Sequence, residues 1–265
     1  MANRTESEKA RARDVNRALY ESLRVYKPYL SPFLTPPEAA CLLKYQPYIA
    51  GKDVLDVGVG AGRTTRYLAP LTRRYEGVDR SSVMVQHLAH EMPDLSIHQA
   101  DFHDMNLFED ESFDFILASD NIIDALSHDV RMRALHEAAR VLRPGGILAF
   151  SSHNIHHKIA FSHPRLQRCR NPARLAYNFV EYVRCWWNYV QVAPLRKVTS
   201  EYALLNDPGN YYSTLHYYAA RPAIDSQLMS AGLQLIEVFD SLGQPISSDQ
   251  DDSANPTLLY VGVRS

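Results

Sequence analysis

Two periods of apolar residues alternate along this chain. Short runs rich in branched and aromatic residues at 53–57, 74–79, 95–100, 113–119 and 146–152 predict strands, and polar residues stop them, Asp79 the second and Asp101 the third. Between these runs the apolar positions recur at steps of three and four. Helices are therefore predicted from Arg63 to Pro70, from the capping Ser81 to His90, and from Asp129 to Leu142, where Arg143-Pro-Gly-Gly146 ends the last. A helix at 223–231 stops at Gly232, and strands at 233–240 and 257–264 close the chain. Strands that alternate with helices in this way predict a parallel, doubly wound sheet, because parallel neighbours need crossover connections.

Two segments fall outside that alternation. Before the first strand, Val15, Leu19, Leu23 and Tyr26 share one helical face, and Thr35-Pro-Pro-Glu38 has the form of a capping box opening a second helix through Leu43 toward Tyr48. Between the fifth and sixth strands lies an insertion. In it Asn171-Pro172 caps a helix whose Leu175, Phe179, Tyr182, Val183, Trp186 and Val190 form one apolar stripe. Further on, Asn210–Tyr218 holds four tyrosines and a histidine; read as a strand, it sends Tyr211, Ser213, Leu215 and Tyr217 to one side and Tyr212, Thr214, His216 and Tyr218 to the other. The insertion follows the carboxyl end of a strand, where ligands bind in open α/β sheets, and is read as a helical, aromatic lid.

Composition narrows the picture. The chain has 265 residues, 46% of them hydrophobic, and a net charge of −2, so its size suits one α/β domain with an insertion and its charge asks for neither nucleic acid nor membrane. Cys41, Cys169 and Cys185 are too few and scattered for a disulfide framework or a zinc site. No apolar leader or membrane-length run occurs, and a cytoplasmic location is expected.

The chemistry concentrates where the first strand ends. Val54-Leu-Asp-Val-Gly-Val-Gly-Ala-Gly-Arg63 runs from apolar residues into an acid and three alternating glycines, a strand passing into a loop whose amides can press against a ligand. The dinucleotide fingerprint counted from Gly58 needs glycine at 63, where this chain has Arg63. NAD is therefore disfavoured. Asp56 with Gly58, Gly60 and Gly62 resembles the first motif of the class I S-adenosylmethionine (SAM)-dependent methyltransferases. That resemblance implies a Rossmann-like sheet of seven strands, the last antiparallel, and SAM as cofactor. It implies that Asp56 and the loop hold the amino-acid end of SAM, that Asp79 takes the ribose hydroxyls, and that Asp101 and Phe102 take the adenine. Ser119 and Asn121, after the fourth strand, stand where the family faces the methyl group, with Asp120 between them. Divided accordingly, 1–51 is a helical extension over the cofactor with Tyr20 reaching it, 52–152 the SAM-binding core, 153–222 the lid, and 223–265 the last helix and two strands.

On the acceptor side the expected catalytic residues are Asn154, Tyr177, Tyr212 and His216, with His153 as a candidate base. Tyrosines suit a pocket wall near a sulfonium, which attracts ring faces. His153-Asn-Ile-His156-His157 has poor spacing for zinc, and no metal is expected. The first reading is methyl transfer to a small molecule enclosed by the lid, in line with the sulfur, the protein supplying mainly orientation. A second is a SAM cyclase with SAM as sole substrate, in which the α-amine displaces sulfur to give azetidine-2-carboxylate and methylthioadenosine. A third is a SAM-binding partner subunit without catalysis. The basic residues Arg165, Arg168, Arg170, Arg174, Arg184 and Arg196 suit an anionic substrate or a solvated face better than RNA. The expected partners are a small-molecule substrate, or SAM alone, and a second copy of the chain in a homodimer.

Overall fold

The computed structural model describes residues 33–265, so the predicted first helical face, with Tyr20 and Tyr26, lies outside the described residues. Helix α1 (Pro36–Lys44) begins at Thr35, whose N–H donates to Glu38 Oε2 at 2.7 Å. Strand β1 (Asp53–Val57) is buried along its whole length, as a strand covered on both faces must be. After it come α2 (Thr65–Leu68), β2 (Arg74–Asp79), α3 (Ser82–Glu91), β3 (Ser96–Gln99) and β4 (Phe113–Ala118). The Ser81 hydroxyl caps α3 by accepting from Met84 N. A single helical turn, Ile122–Ala125, leads to α4 (His128–Val141) and then to β5 (Leu142–Asn154). The insertion contributes α5 (Pro172–Val192), β6 (Lys197–Val198), β7 (Tyr202–Leu205) and β8 (His216–Ala219). Helix α6 (Arg221–Ser230), β9 (Leu233–Phe239) and β10 (Thr257–Arg264) complete the chain.

The core strands run in the order β3-β2-β1-β4-β5, parallel throughout, and continue through β10, antiparallel to both β5 and β9. Neighbouring residues in the central strands feed opposite layers. Phe115 and Leu117 of β4 join one apolar cluster with Cys41 and Leu42 of α1, while Ile116 and Ala118 join the other with Leu135 and Ala138 of α4. Because the chain moves outward from β1 to β3 and then returns to β4 on the other side of β1, a cleft opens at the carboxyl ends of β1 and β4.

This is the predicted Rossmann-like α/β architecture, with ten strands among the described residues in place of seven. The extra three arise in the insertion, which is part helix and part sheet. Strand β4 leaves β5 at Ala118↔Phe150, and four residues of β5 extend past it. The last two, His153 and Asn154, pair in parallel with Tyr218 and Ala219 of β8, to which β7 and then β6 add antiparallel. The Tyr-rich stretch is a strand only from His216. Gly209–Tyr212 is instead a turn with Asn210, Tyr211 and Tyr212 left-handed, so the two-sided alternation expected across Tyr211–Tyr217 does not form.

Helix α5 also departs from its predicted stripe. Tyr182, Trp186 and Tyr189 are half-buried and link ring to ring, ending on Tyr212 at 5.6 Å, whereas Phe179, Val183 and Val190 are more than half exposed. No helix among the described residues is long and apolar enough to cross a membrane.

At the amino ends of the strands, Asp53 accepts from Arg73 Nη2 at 2.7 Å and Arg143 Nη2 at 2.9 Å, tying the starts of β1 and β2 to β5. The hydrogen bond from Arg73 holds its carboxyl below the usual range. A depressed carboxylate contributes stability above its unfolded pKa and loses it as pH falls through the folded value. Asp53→Asn is expected to lower the urea midpoint at pH 7, and the difference from wild type is expected to shrink at pH 3.

Candidate functional site

The glycine loop is shaped by close approach. Gly58 has φ +73°, and a Cβ there would stand 2.7 Å from Ile122 Cγ2; Gly62 has φ +80°, and its Cβ would stand 2.6 Å from Leu88 Cδ1. Both positions exclude a side chain on steric and conformational grounds. Gly60 faces open space, and its amide donates to Asp79 Oδ2 at 2.9 Å. The other Asp79 oxygen accepts from Ser81 N at 2.8 Å, and burial pushes this carboxyl up from its ordinary value. The loop and the tip of β2 are thus stitched together along one wall of the cleft. Asp101 and Phe102 continue that wall, and Ser119 and Asp120 form the opposite one.

Asp120 and Asn121 are both left-handed, at φ 56°. Two consecutive non-glycine residues in this region mark a backbone held by its surroundings. Asn121 N–H donates to Ser151 Oγ at 2.7 Å, while its own Oδ1 is buried without a partner. Asn121 does not line the cleft; Asp120 does.

Asp56 does not line it either. The carboxylate is 1% exposed and accepts from Thr64 Oγ1 at 2.7 Å and Tyr75 OH at 2.8 Å. Burial pushes it up to about 6 against those donors. Its observed contacts anchor the loop from behind, a correction to the expectation that it reaches a ligand. In the sequence Arg63 only breaks the dinucleotide spacing and opens a helix, and nothing local signals its further role. Arg63 lines the cleft and forms a two-pronged pair with Glu38, one prong at 2.7 Å, and reaches Ser119 Oγ at 3.3 Å. Burial opposes ionisation of Glu38, yet Arg63 holds its carboxyl below the usual range. The acid of the predicted capping box therefore also clamps α1 onto the glycine loop.

The acceptor-side candidates separate. Asn154 is 1% exposed; its amide donates to Asp252 O at 2.9 Å and Asn255 O at 3.2 Å, and its Oδ1 accepts from His156 N. This side chain ties the 251–256 turn to β5. Tyr177 is 62% exposed on α5, and Tyr212 is buried against Tyr189 with its hydroxyl 3.4 Å from Ser162 Oγ. Neither they nor His216 line the cleft, whose walls come from residues 57–126.

His153 and His216 do come together, their rings stacked at 5.2 Å. His153 Nδ1 lies 2.6 Å from Asp124 Oδ2, and His216 Nδ1 lies 2.9 Å from Asp207 Oδ2. Asp124 is fully buried. It also accepts from Arg131 Nη1 at 2.6 Å, Ser152 Oγ at 2.7 Å and the His153 amide at 2.6 Å. Arg131, itself without solvent exposure, donates on to Gln227 Oε1 at 2.9 Å and lies 4.4 Å from the Tyr217 ring. The three-histidine stretch is thereby divided: His156 goes to Asp252, and His153 joins Asp207 and His216, a group of side chains able to hold a metal ion.

A doubly wound sheet, a glycine loop after β1, a carboxylate closing β2 and an Asp-Phe pair after β3 define the class I SAM-dependent methyltransferase fold. Residues 54–146 match the family described as "Methyltransferase domain", so that segment of the chain is a methyltransferase domain. Phthiotriol/phenolphthiotriol dimycocerosates methyltransferase 1 of Mycobacterium ulcerans is 36% identical over 109 residues, 39% of this chain and 38% of that protein. The corresponding Mycobacterium leprae enzyme is 32% identical over 131 residues, 45% and 46% of the two chains. The chain thus spans less than half the length of these curated relatives. Among solved structures, the CcbJ methyltransferase of Streptomyces caelestis superposes with a TM-score of 0.58 at 17% identity over 91% of this chain and 96% of that one. The 1,6-didemethyltoxoflavin-N1-methyltransferase of Burkholderia thailandensis, determined with S-adenosylhomocysteine bound, gives 0.54 at 12% identity over 87% and 78%.

Glu38→Ala leaves the Arg63 guanidinium half-enclosed without its partner. A loss of about 3 kcal/mol in unfolding free energy is expected from denaturant titration, and the double change Glu38→Met with Arg63→Met is expected to recover part of it.

Proposed function

We propose that this protein transfers the methyl group of SAM to a small organic acceptor. The observation that carries the proposal is the convergence of the Gly58–Gly62 loop, Asp79 and the Asp101-Phe102 pair on one cleft at the switch point of the sheet. In this reading the loop amides meet the amino-acid end of SAM, Asp79 accepts from the ribose hydroxyls, and Asp101 and Phe102 bracket the adenine. Ser119 and Asp120 then border the methyl group, and residues 153–222 form the acceptor-side lobe. SAM brings its own leaving group, so holding the acceptor in line with carbon and sulfur supplies much of the rate, up to roughly 7–11 kcal/mol in favourable geometry.

An acceptor with an extended apolar body suits this chain. The mycobacterial relatives are named for phthiotriol and phenolphthiotriol dimycocerosates, and α5, part of that lobe, presents Phe179, Val183, Trp187 and Val190 to solvent.

Two measurements test the proposal. Asp79→Ala is expected to weaken S-adenosylhomocysteine binding, read by calorimetry, by roughly 10- to 100-fold, the equivalent of about 1.5–3 kcal/mol for hydrogen bonds to a charged group; unchanged affinity would remove the ribose assignment. Incubation with SAM and a panel of acceptors, followed by mass spectrometry, is expected to give S-adenosylhomocysteine only where an acceptor is present. Methylthioadenosine from SAM alone, faster than without protein, would replace transfer by cyclisation.

A further inference from the structure

We infer that His153, Asp207 and His216 form a binding site for one divalent first-row transition ion. The group is assembled from the end of β5, the segment following β7 and the start of β8, so no sequence motif announces it. Each residue offers one donor atom, and the three atoms lie within 4.8 Å of one another. Ligand bonds of about 2.1 Å place neighbouring donors roughly 3–3.5 Å apart on one ion. His216 Nδ1 and Asp207 Oδ2 are hydrogen-bonded at 2.9 Å, slightly closer than that separation.

The surroundings are those of ligands held in place. A metal-bound imidazole characteristically donates its second ring N–H to an oxygen, which fixes the ring and its tautomer. His153 Nδ1 has Asp124 Oδ2 at 2.6 Å, which frees Nε2 for an ion. His216 Nε2 has Thr214 Oγ1 at 3.4 Å, and its Nδ1 faces Asp207 Oδ2, so an ion bound between them takes the place of the proton they share. Asp207 is oriented by the Gly209 amide at 2.8 Å and by the Tyr218 hydroxyl. Asp124, behind His153, is fixed in turn by Arg131 and Ser152. Among the described residues Arg131 is the one guanidinium bonded to these carboxylates, and it offsets one of the two. With both imidazoles neutral, as metal binding requires, one negative charge is left for a cation to neutralise.

Donor chemistry selects the ion. Calcium and magnesium take oxygen ligands, whereas two imidazoles and one carboxylate suit Zn²⁺, Co²⁺, Fe²⁺ or Mn²⁺ and leave coordination positions open. Those positions are available to water or to a ligand oxygen. The inference does not depend on methyl transfer, because it rests on the side chains alone.

The test uses the whole protein, dialysed against chelator and titrated with Co²⁺ and then Zn²⁺. One equivalent of Co²⁺ per chain is expected, with visible d–d absorption, displacement by Zn²⁺, and hyperfine-shifted proton resonances from two imidazoles. Those resonances are read in the unaltered protein, so they identify the ligands whether or not any variant folds. His216→Ala and Asp207→Asn are each expected to weaken Co²⁺ binding at least 100-fold, and Asp124→Asn about 10-fold through loss of the bond to His153. A single cooperative thermal transition serves as the check that each variant is folded. Absence of a one-to-one cobalt complex, a complex lacking imidazole resonances, or undiminished binding in folded His216→Ala would overturn the inference.

Discussion

Asp124 has no access to water and accepts four hydrogen bonds, from Arg131, Ser152 and both the amide and ring of His153. A buried carboxylate is tolerated only when its lone pairs are filled, and here the donors come from elements that are otherwise separate. The turn after β4 brings the acid, α4 the guanidinium, and β5 the hydroxyl and imidazole. Through Arg131 the same node reaches Gln227 on α6 and the ring of Tyr217 on β8. The neighbouring residues of the turn, Ile122 and Ala125, line the cofactor cleft. One ionised group therefore sets how the cleft, the core helices and the inserted sheet meet.

Much of the fold was legible because its signals are local. Buried runs at 53–57 and 113–118, the caps Ser81 and Asn171, and the stop at Gly232 each depend on a few adjacent residues. The lining of the cleft was legible for the same reason, since Gly58, Gly60, Asp79 and Asp101-Phe102 stand at or just after strand ends that the pattern locates. What was hidden is long-range pairing. Glu38 reads as a cap, and only the tertiary structure shows that the same carboxylate holds Arg63. Asn154 and Tyr212 are residue types suited to a pocket, but the turn at 251–256 and the rings of α5 occupy them first. Asp124 and Arg131, the most deeply buried charges, gave no signal, because a lone acid in a turn and a lone arginine in a helix look like surface residues.

Helix α5 shows the converse error. Its apolar spacing predicts an inward stripe, yet only Val192 is fully buried and the half-buried line runs through Tyr182, Trp186 and Tyr189. Those three rings have the reach to bridge from a helix standing off the sheet to Tyr212, whereas Val183 and Val190 do not. A contiguous apolar surface of this kind is characteristic of regions that meet other molecules.

The seam between core and insertion has a consequence for how such a protein can change. Only two residue pairs, His153↔Tyr218 and Asn154↔Ala219, carry the backbone ladder across it, which invites the insertion to be exchanged as a module between enzymes. Arg131 prevents a clean exchange. Its guanidinium is paired within the core with Asp124 and Gln227 but packs on the inserted Tyr217 ring, so a graft cut at the strand ends would take away the ring that covers it. A lobe placed at this seam must therefore bring its own cover for Arg131, so the inserted sheet is fitted to the core by a side-chain contact as well as by its short backbone ladder.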